Sequence, residues 1–320
     1  MRSEWEWLRF ALAVLLGAAA ITGAVVLLNG GPEPAPPPVT GGPAAPGIPG
    51  SPALPGVVAV KIDNVPPARP QTGIGAADTV YVEPVEGGFT RLMAIYDGEL
   101  PDTVGPVRSA RLTDVDILAQ YGNPVLAYSG AAPETLPALR AAPLTGAAPE
   151  DTGGAYYRDP ARRAPHDLFV RPADLPGPGP GAPPREDGPA PDGGTRADRH
   201  DVAYPAASFT LRWSPEAARW LVEMDGEPVV STDSGPVAPA TVVEQRVTTA
   251  PGAAPDDAAG NASPVAVTIG GGDAVVLRDG LRFDGTWSRP DPGSPTVFRD
   301  ANGSVVPFAE GPVWVLLVPA

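Results

Sequence analysis

Three patterns of apolar residues divide this chain. From Phe10 to Leu28 every position is apolar or small, apart from Thr22. At 1.5 Å per residue such a run spans about 28 Å as a helix, close to the hydrocarbon thickness of a bilayer. Short β-branched runs follow. Val57–Ile62, Asp78–Val85 and Phe89–Tyr96 predict strands, the last two joined across Glu86-Gly87-Gly88. Leu112, Val115, Leu118 and Ala119 recur at helical spacing, which predicts a helix over Ala110–Tyr121 with Ser109 as its cap and Gly122 at its end. Val125–Tyr128 predicts another strand and Pro133–Ala141 a second helix. Beyond residue 201 the period of two dominates. Strands are expected at Phe209–Trp213, Val229–Thr232, Thr241–Val247, Val265–Ile269, Ala274–Leu277 and Val313–Val318, with Asp225-Gly226, Asp279-Gly280 and Asn302-Gly303 as turns. Only Pro215–Val222 is expected to be helical there. The expected fold is α+β: an amino-terminal mixed α/β lobe over 57–171, then a smaller, mainly antiparallel β lobe over 202–320.

Composition refines these boundaries. The 45 prolines and 38 glycines concentrate in two stretches. Residues 31–56 have almost no large apolar side chain and read as an extended linker; residues 172–201 read as a flexible Pro/Gly-rich loop in which His200 falls. Arg2 and Arg9 precede the apolar run, and no Lys or Arg follows it until Lys61. Residues 1–30 are therefore expected to be a single-pass anchor contacting membrane through residues 10–28, with the amino end cytoplasmic and the folded part outside. The rival is a signal peptide with Ala18-Ala19-Ala20 as its small-residue cleavage site, giving a secreted protein. Continuation of the run through Val25-Val26-Leu27-Leu28 favours the anchor.

A formal charge of −15 argues against nucleic acid as a partner. With no cysteine, disulfides, thiolate nucleophiles, Cys-containing zinc sites and a lipid-modified cysteine are excluded. No metal is expected, since neither His-Glu-x-x-His nor a calcium-type acidic loop is present. No cofactor is expected either: Gly177–Gly181 has prolines between its glycines and no strand leading in.

The candidate chemistry gathers around Gly105–Arg111. Arg108 and Arg111 straddle Ser109 at the expected start of a helix, where the backbone already carries partial positive charge. Turned back over that end, they form an anion site suited to phosphate or carboxylate. The competing reading has Arg111 paired with Asp114, and Arg108 with Glu83 or Glu86. Asp63 and Asn64 end the first strand, where α/β sheets commonly place ligands. The expected ligand-binding residues are Asp63, Asn64, Arg69, Arg91, Arg108, Ser109 and Arg111, with His166 at the rim. No catalytic residue is assigned. His166 beside Asp167 invites a general-base reading, but neighbours in sequence rarely face each other and no nucleophile motif accompanies them. Glu83 and Glu86 are three apart, on opposite faces of an unbroken strand, and act as an acid/base pair only if a bulge at Pro84 realigns them. Trp287 and Trp314 are expected in the core.

Several motifs in order carry a resemblance: Val60-Lys61-Ile62-Asp63-Asn64, Ala68-Arg69-Pro70-Gln71, Glu86–Arg91, Gly105–Arg111, Pro165-His166-Asp167, Phe283–Trp287 and Gly311–Val315. Together they resemble the YerB-like family of bacterial envelope proteins, known by the domain of unknown function DUF3048. The resemblance implies an amino-terminal and a distinct carboxy-terminal domain and an envelope location, and brings no chemistry with it. Many members look like lipoproteins; this chain lacks the cysteine, and its apolar run is expected to substitute. The functional expectation is an extracytoplasmic protein that binds a small anion or an anionic envelope component. The alternatives are a glycan or peptidoglycan hydrolase acting through Glu86 or His166, and a scaffold docking a membrane or wall enzyme.

Overall fold

The β-branched runs of the first half become strands almost where their pattern puts them. In the computed structural model, which describes residues 56–181, 184–255 and 262–320, β1 is Val58–Asp63, β2 Thr79–Pro84 and β3 Thr90–Tyr96. Helix α1 is Leu112–Leu118, β4 Val125–Ala127, α2 Thr135–Ala141 and β5 Thr145–Ala147. The apolar run at 10–28 and the linker up to residue 55 lie outside the described residues. Among the described residues, no helix is long and apolar enough to cross a membrane.

One mixed sheet of eleven strands crosses both halves of the chain. Its order is Val297–Asp300, Leu281–Arg289, Gly270–Arg278, Thr241–Val247, Val313–Pro319, β2, β3, β1, β4, β5, with Thr195–Arg196 beside Leu281–Arg289. Val313–Pro319 is the join: it lies parallel to both Thr241–Val247 and β2. Six consecutive buried residues from Val313 to Val318 suit a strand covered on both faces. The architecture is thus mostly β, with two seven-residue α-helices and one of four residues among the described residues. This corrects the expected α/β lobe, because residues 57–171 supply five strands to a sheet that the carboxy-terminal half completes.

The sheet separates two cores. On one face the even positions of β1, Val58, Val60 and Ile62, pack with Leu92, Trp314 and a four-stranded antiparallel sheet. That second sheet contributes Phe209, Leu211, Trp220 and Val222. On the other face Val57, Ala59, Met93 and Ile95 pack with Ile117 and Leu118 of α1, and with Trp287. Both tryptophans expected in the core are buried.

Pro215–Val222 is not a helix. Ala207–Ser214 and Arg219–Met224 form a hairpin, closed by a turn in which Ala218 has φ of 50°. The alternation Trp220, Val222, Met224 into the core outweighs the helix-forming Pro-Glu-Ala-Ala segment before it. His200 is likewise not in a loop: it sits on the strand Arg199–Tyr204, buried, with Nε2 2.6 Å from Glu244 Oε2. Arg185 ties the preceding segment down by donating to the carbonyls of Asp78 and Gly311.

Candidate functional site

Alternation along β1 carries Lys61 and Asp63 to the face that holds Ala59. This face therefore passes from apolar to charged as the strand ends. Across the sheet Asp63 lies opposite Arg91, and Arg91 opposite Glu83, so three ionisable residues form one row over β1, β3 and β2.

Lys61 is the chain's only lysine, and it is fully buried. Its Nζ is 2.6 Å from Glu83 Oε1 and 2.6 Å from Asp114 Oδ1. The other Asp114 oxygen accepts the Arg111 backbone N–H at 2.7 Å, which fixes the start of α1. Burial, reinforced by the neighbouring Asp114, pushes the Glu83 carboxyl up to about 8. At neutral pH one of the two carboxyls is thus largely protonated, and the closed cluster is close to neutral.

Gly105–Arg111 does not enter the helix. It is extended, and hydrogen bonds to several segments hold it there: Asp63 N–H to Pro106 O, Val107 N–H to Leu168 O, Arg108 N–H to Lys61 O, and Ser129 N–H to Arg108 O. Pairing with these segments competes successfully with helix formation, so α1 begins only at Leu112. Ser109 is not the cap. It contributes its carbonyl, which accepts from Arg91 Nη1 at 2.9 Å. Burial, then the charge of Arg111, lowers the Arg91 guanidinium to about 10.

The arginines find carboxylates, though not the expected ones. Arg108 Nε is 3.0 Å from Asp63 Oδ2, and the same oxygen is 2.7 Å from His166 Nδ1. Asp63 is 2% exposed, while Arg108 and His166 keep side-chain exposures of 27% and 16%. Asp167 turns away from its neighbour and pairs with Arg158. Arg111 Nη2 meets Glu86 Oε1 at 2.5 Å. Glu83 and Glu86 thus face different cations, Lys61 and Arg111, and are not arranged as an acid/base pair.

Six of the eight expected site residues therefore form one region: Asp63, Arg91, Arg108, Ser109, Arg111 and His166. Asn64 and Arg69 belong elsewhere. The Asn64 side chain bonds Thr90 and Gln71, and Arg69 donates to Asn64 O and to Asp225. Both line a separate groove of about 460 Å³ with Pro70, Met224 and Val229. Arg108 instead edges an open groove of about 510 Å³, lined also by Ser129, Glu150, Tyr156, Tyr157 and Arg158. Sequence reasoning left Ser129, Tyr156 and Arg158 out of the site, because the Tyr156–Arg158 strand pairs with Leu168–Val170 outside the large sheet and meets the end of β4 only in the folded chain, where the Tyr156 hydroxyl donates to Tyr128 O. Lys61 had a legible signal, a lone lysine two residues before Asp63. Among the described residues, no group of three or more His, Asp or Glu side chains is placed to hold a metal ion.

Residues 47–178 match the amino-terminal domain, and residues 200–315 the carboxy-terminal domain, of a family described as protein of unknown function DUF3048. The chain belongs to the DUF3048 family. A protein of Bacillus subtilis (strain 168) named "Putative lipoprotein YerB" is 54% identical over 54 residues. That match spans 17% of this chain and 16% of the relative. The crystal structure of the YerB protein from Bacillus subtilis superposes with a TM-score of 0.68 at 22% identity, covering 84% of this chain and 92% of that one. This second likeness shows a shared fold.

Proposed function

We propose that this DUF3048 protein is an envelope-tethered binding protein whose groove beside Arg108 holds a small anion or an anionic envelope component. The observation that carries the reading is the environment of Arg108. Its guanidinium is oriented by the buried Asp63 yet partly exposed at a polar groove that Arg158 also lines. An arginine held in this way loses little freedom on meeting a phosphate or carboxylate. The charged side chains lining the groove are Arg108, Arg158 and Glu150. A site at the amino end of α1 is not part of the proposal, since Arg111 and Asp114 already occupy that end. For the envelope location, support comes from the apolar run at 10–28 and from the name of the lipoprotein relative. Without a cysteine, tethering here rests on the apolar run.

Isothermal titration with inorganic pyrophosphate and with phosphorylated and carboxylated wall fragments tests the reading. Arg158→Ala and Arg108→Gln are each expected to weaken binding about tenfold, the size of one charge-assisted hydrogen bond. Unchanged affinity in both variants would overturn it.

A second reading, an envelope hydrolase, is favoured by one contact. Asp63 engages His166 through Nδ1, the arrangement that sets an imidazole's tautomer and leaves Nε2 to take a proton from water or a substrate hydroxyl. Turnover of a peptidoglycan panel that disappears in His166→Ala would establish it in place of simple binding.

A further inference from the structure

Away from the arginine groove, on the face of the sheet that α1 covers, lies a pocket with an apolar mouth and a polar floor. The mouth is a groove of about 270 Å³, walled by Val297, Phe298, Val306 and Phe308. It continues past Thr296 and Phe298 into a smaller recess of about 20 Å³, where Thr79, Tyr81, Tyr121 and Gln245 form the floor.

The floor arises from strand order. Val313 and Val315 lie between Thr79 and Tyr81 of β2 on one side and the strand Thr241–Val247 on the other. The polar side chains flanking this apolar centre therefore face the recess together. The Tyr81 and Tyr121 hydroxyls are 3.0 Å apart, and burial raises both above the ordinary phenol range, so both stay protonated. Gln120 closes one side, its Oε1 accepting from the Thr296 backbone N–H and hydroxyl.

Gln245 is the exception. It is 2% exposed, and its Nε2 is buried without a hydrogen-bond partner. An unpaired buried amide N–H is costly, and native structures rarely leave one without an occupant to receive it. The missing partner must be an acceptor. Charge at the mouth does not select for an anion, because Arg185 is occupied by Asp187 and by two backbone carbonyls. The space beyond the donor is aromatic and aliphatic.

We infer that this pocket is a second binding site, for an uncharged molecule that carries a carbonyl or ester oxygen on an apolar or aromatic body. The oxygen accepts from Gln245 Nε2 in the recess, and the body lies in the mouth against Phe298 and Phe308, whose rings pack on each other with centroids 5.8 Å apart. The recess alone is large enough for one water, so the competing occupant is a single water molecule with nothing bound in the mouth.

The test uses 4′-fluoroacetanilide, an aromatic amide of this description, with the full chain in lipid nanodiscs and empty nanodiscs as the blank. Binding is read from fluorine NMR line broadening at millimolar probe. The expected result is broadening above the blank, an affinity about fivefold to tenfold lower in Gln245→Met, and no binding in Val306→Trp, which fills the mouth. Fluorotoluene, lacking the carbonyl, is expected to bind the wild type and Gln245→Met equally. No broadening above the blank would overturn the proposal in favour of a single water. Equal affinity of the amide for wild type and Gln245→Met would overturn the role of the donor. Because Arg158→Ala leaves this pocket intact, its response to the amide stays at the wild-type level whether or not the anion reading holds.

Discussion

Lys61 and Asp63 leave the same face of one strand, two residues apart, and end in opposite circumstances. Lys61 is sealed between Glu83 and Asp114, all three essentially inaccessible, and its contacts fix where α1 starts. Asp63 is as deeply buried, but the groups it holds, Arg108 and His166, reach the surface. The same kind of ion pairing is thus structural when every partner is enclosed, and becomes an orienting device when the partners are open to solvent. One strand supplies both because its end marks the boundary of the core.

The largest expected effect belongs to the closed cluster. Lys61→Met leaves Asp114 buried without its cation and is expected to cost about 3–5 kcal/mol in urea unfolding. A loss below about 1 kcal/mol would erase the distinction between the two regions. Next comes Asp63→Asn, which keeps the shape but removes the charge shared by Arg108 and His166. It is expected to cost about 1.5–3 kcal/mol, the range for hydrogen bonds to charged groups.

The pH dependence separates the regions without removing a contact. The Glu83 carboxyl rises from an ordinary 4.5 to about 8 in the folded protein. The folded state therefore holds a proton that the unfolded chain has released. Stability contributed by Glu83 is greatest below this window and declines as pH rises through it. Melting curves between these limits are expected to show a steeper decline in wild type than in Glu83→Gln; equal slopes would remove Glu83 as the cause. The smallest effects belong to the open end. His166→Ala is expected to change stability by about 0–1 kcal/mol, and Arg158→Ala by no more than about 0.5 kcal/mol.

Much of the sheet was legible because its strands carry β-branched runs; Thr241–Val247 and Val313–Pro319 emerged almost residue for residue. Leu281–Arg289 did not, since Arg282, Asp284 and Gly285 interrupt its apolar alternation. The boundaries of α1 were overstated because hydrogen bonds from distant segments hold Gly105–Arg111 extended, and such partners leave no local trace. The site shows the same limit. Asp63, Arg108 and His166 could each be picked out as residues, but the partner of His166 is 103 positions away, while the tempting neighbour Asp167 serves Arg158. Asn64 and Arg69, equally prominent in sequence, turn to a different groove. Local pattern found the residues; strand order decided which of them meet.

The most direct test of the open end is the thermal shift produced by inorganic pyrophosphate at constant ionic strength, compared between wild type and Arg158→Ala. The account predicts a saturable rise in Tm for wild type that is much reduced in Arg158→Ala, with both proteins melting alike in the absence of the anion. The same rise in both proteins, or none in wild type, would contradict it.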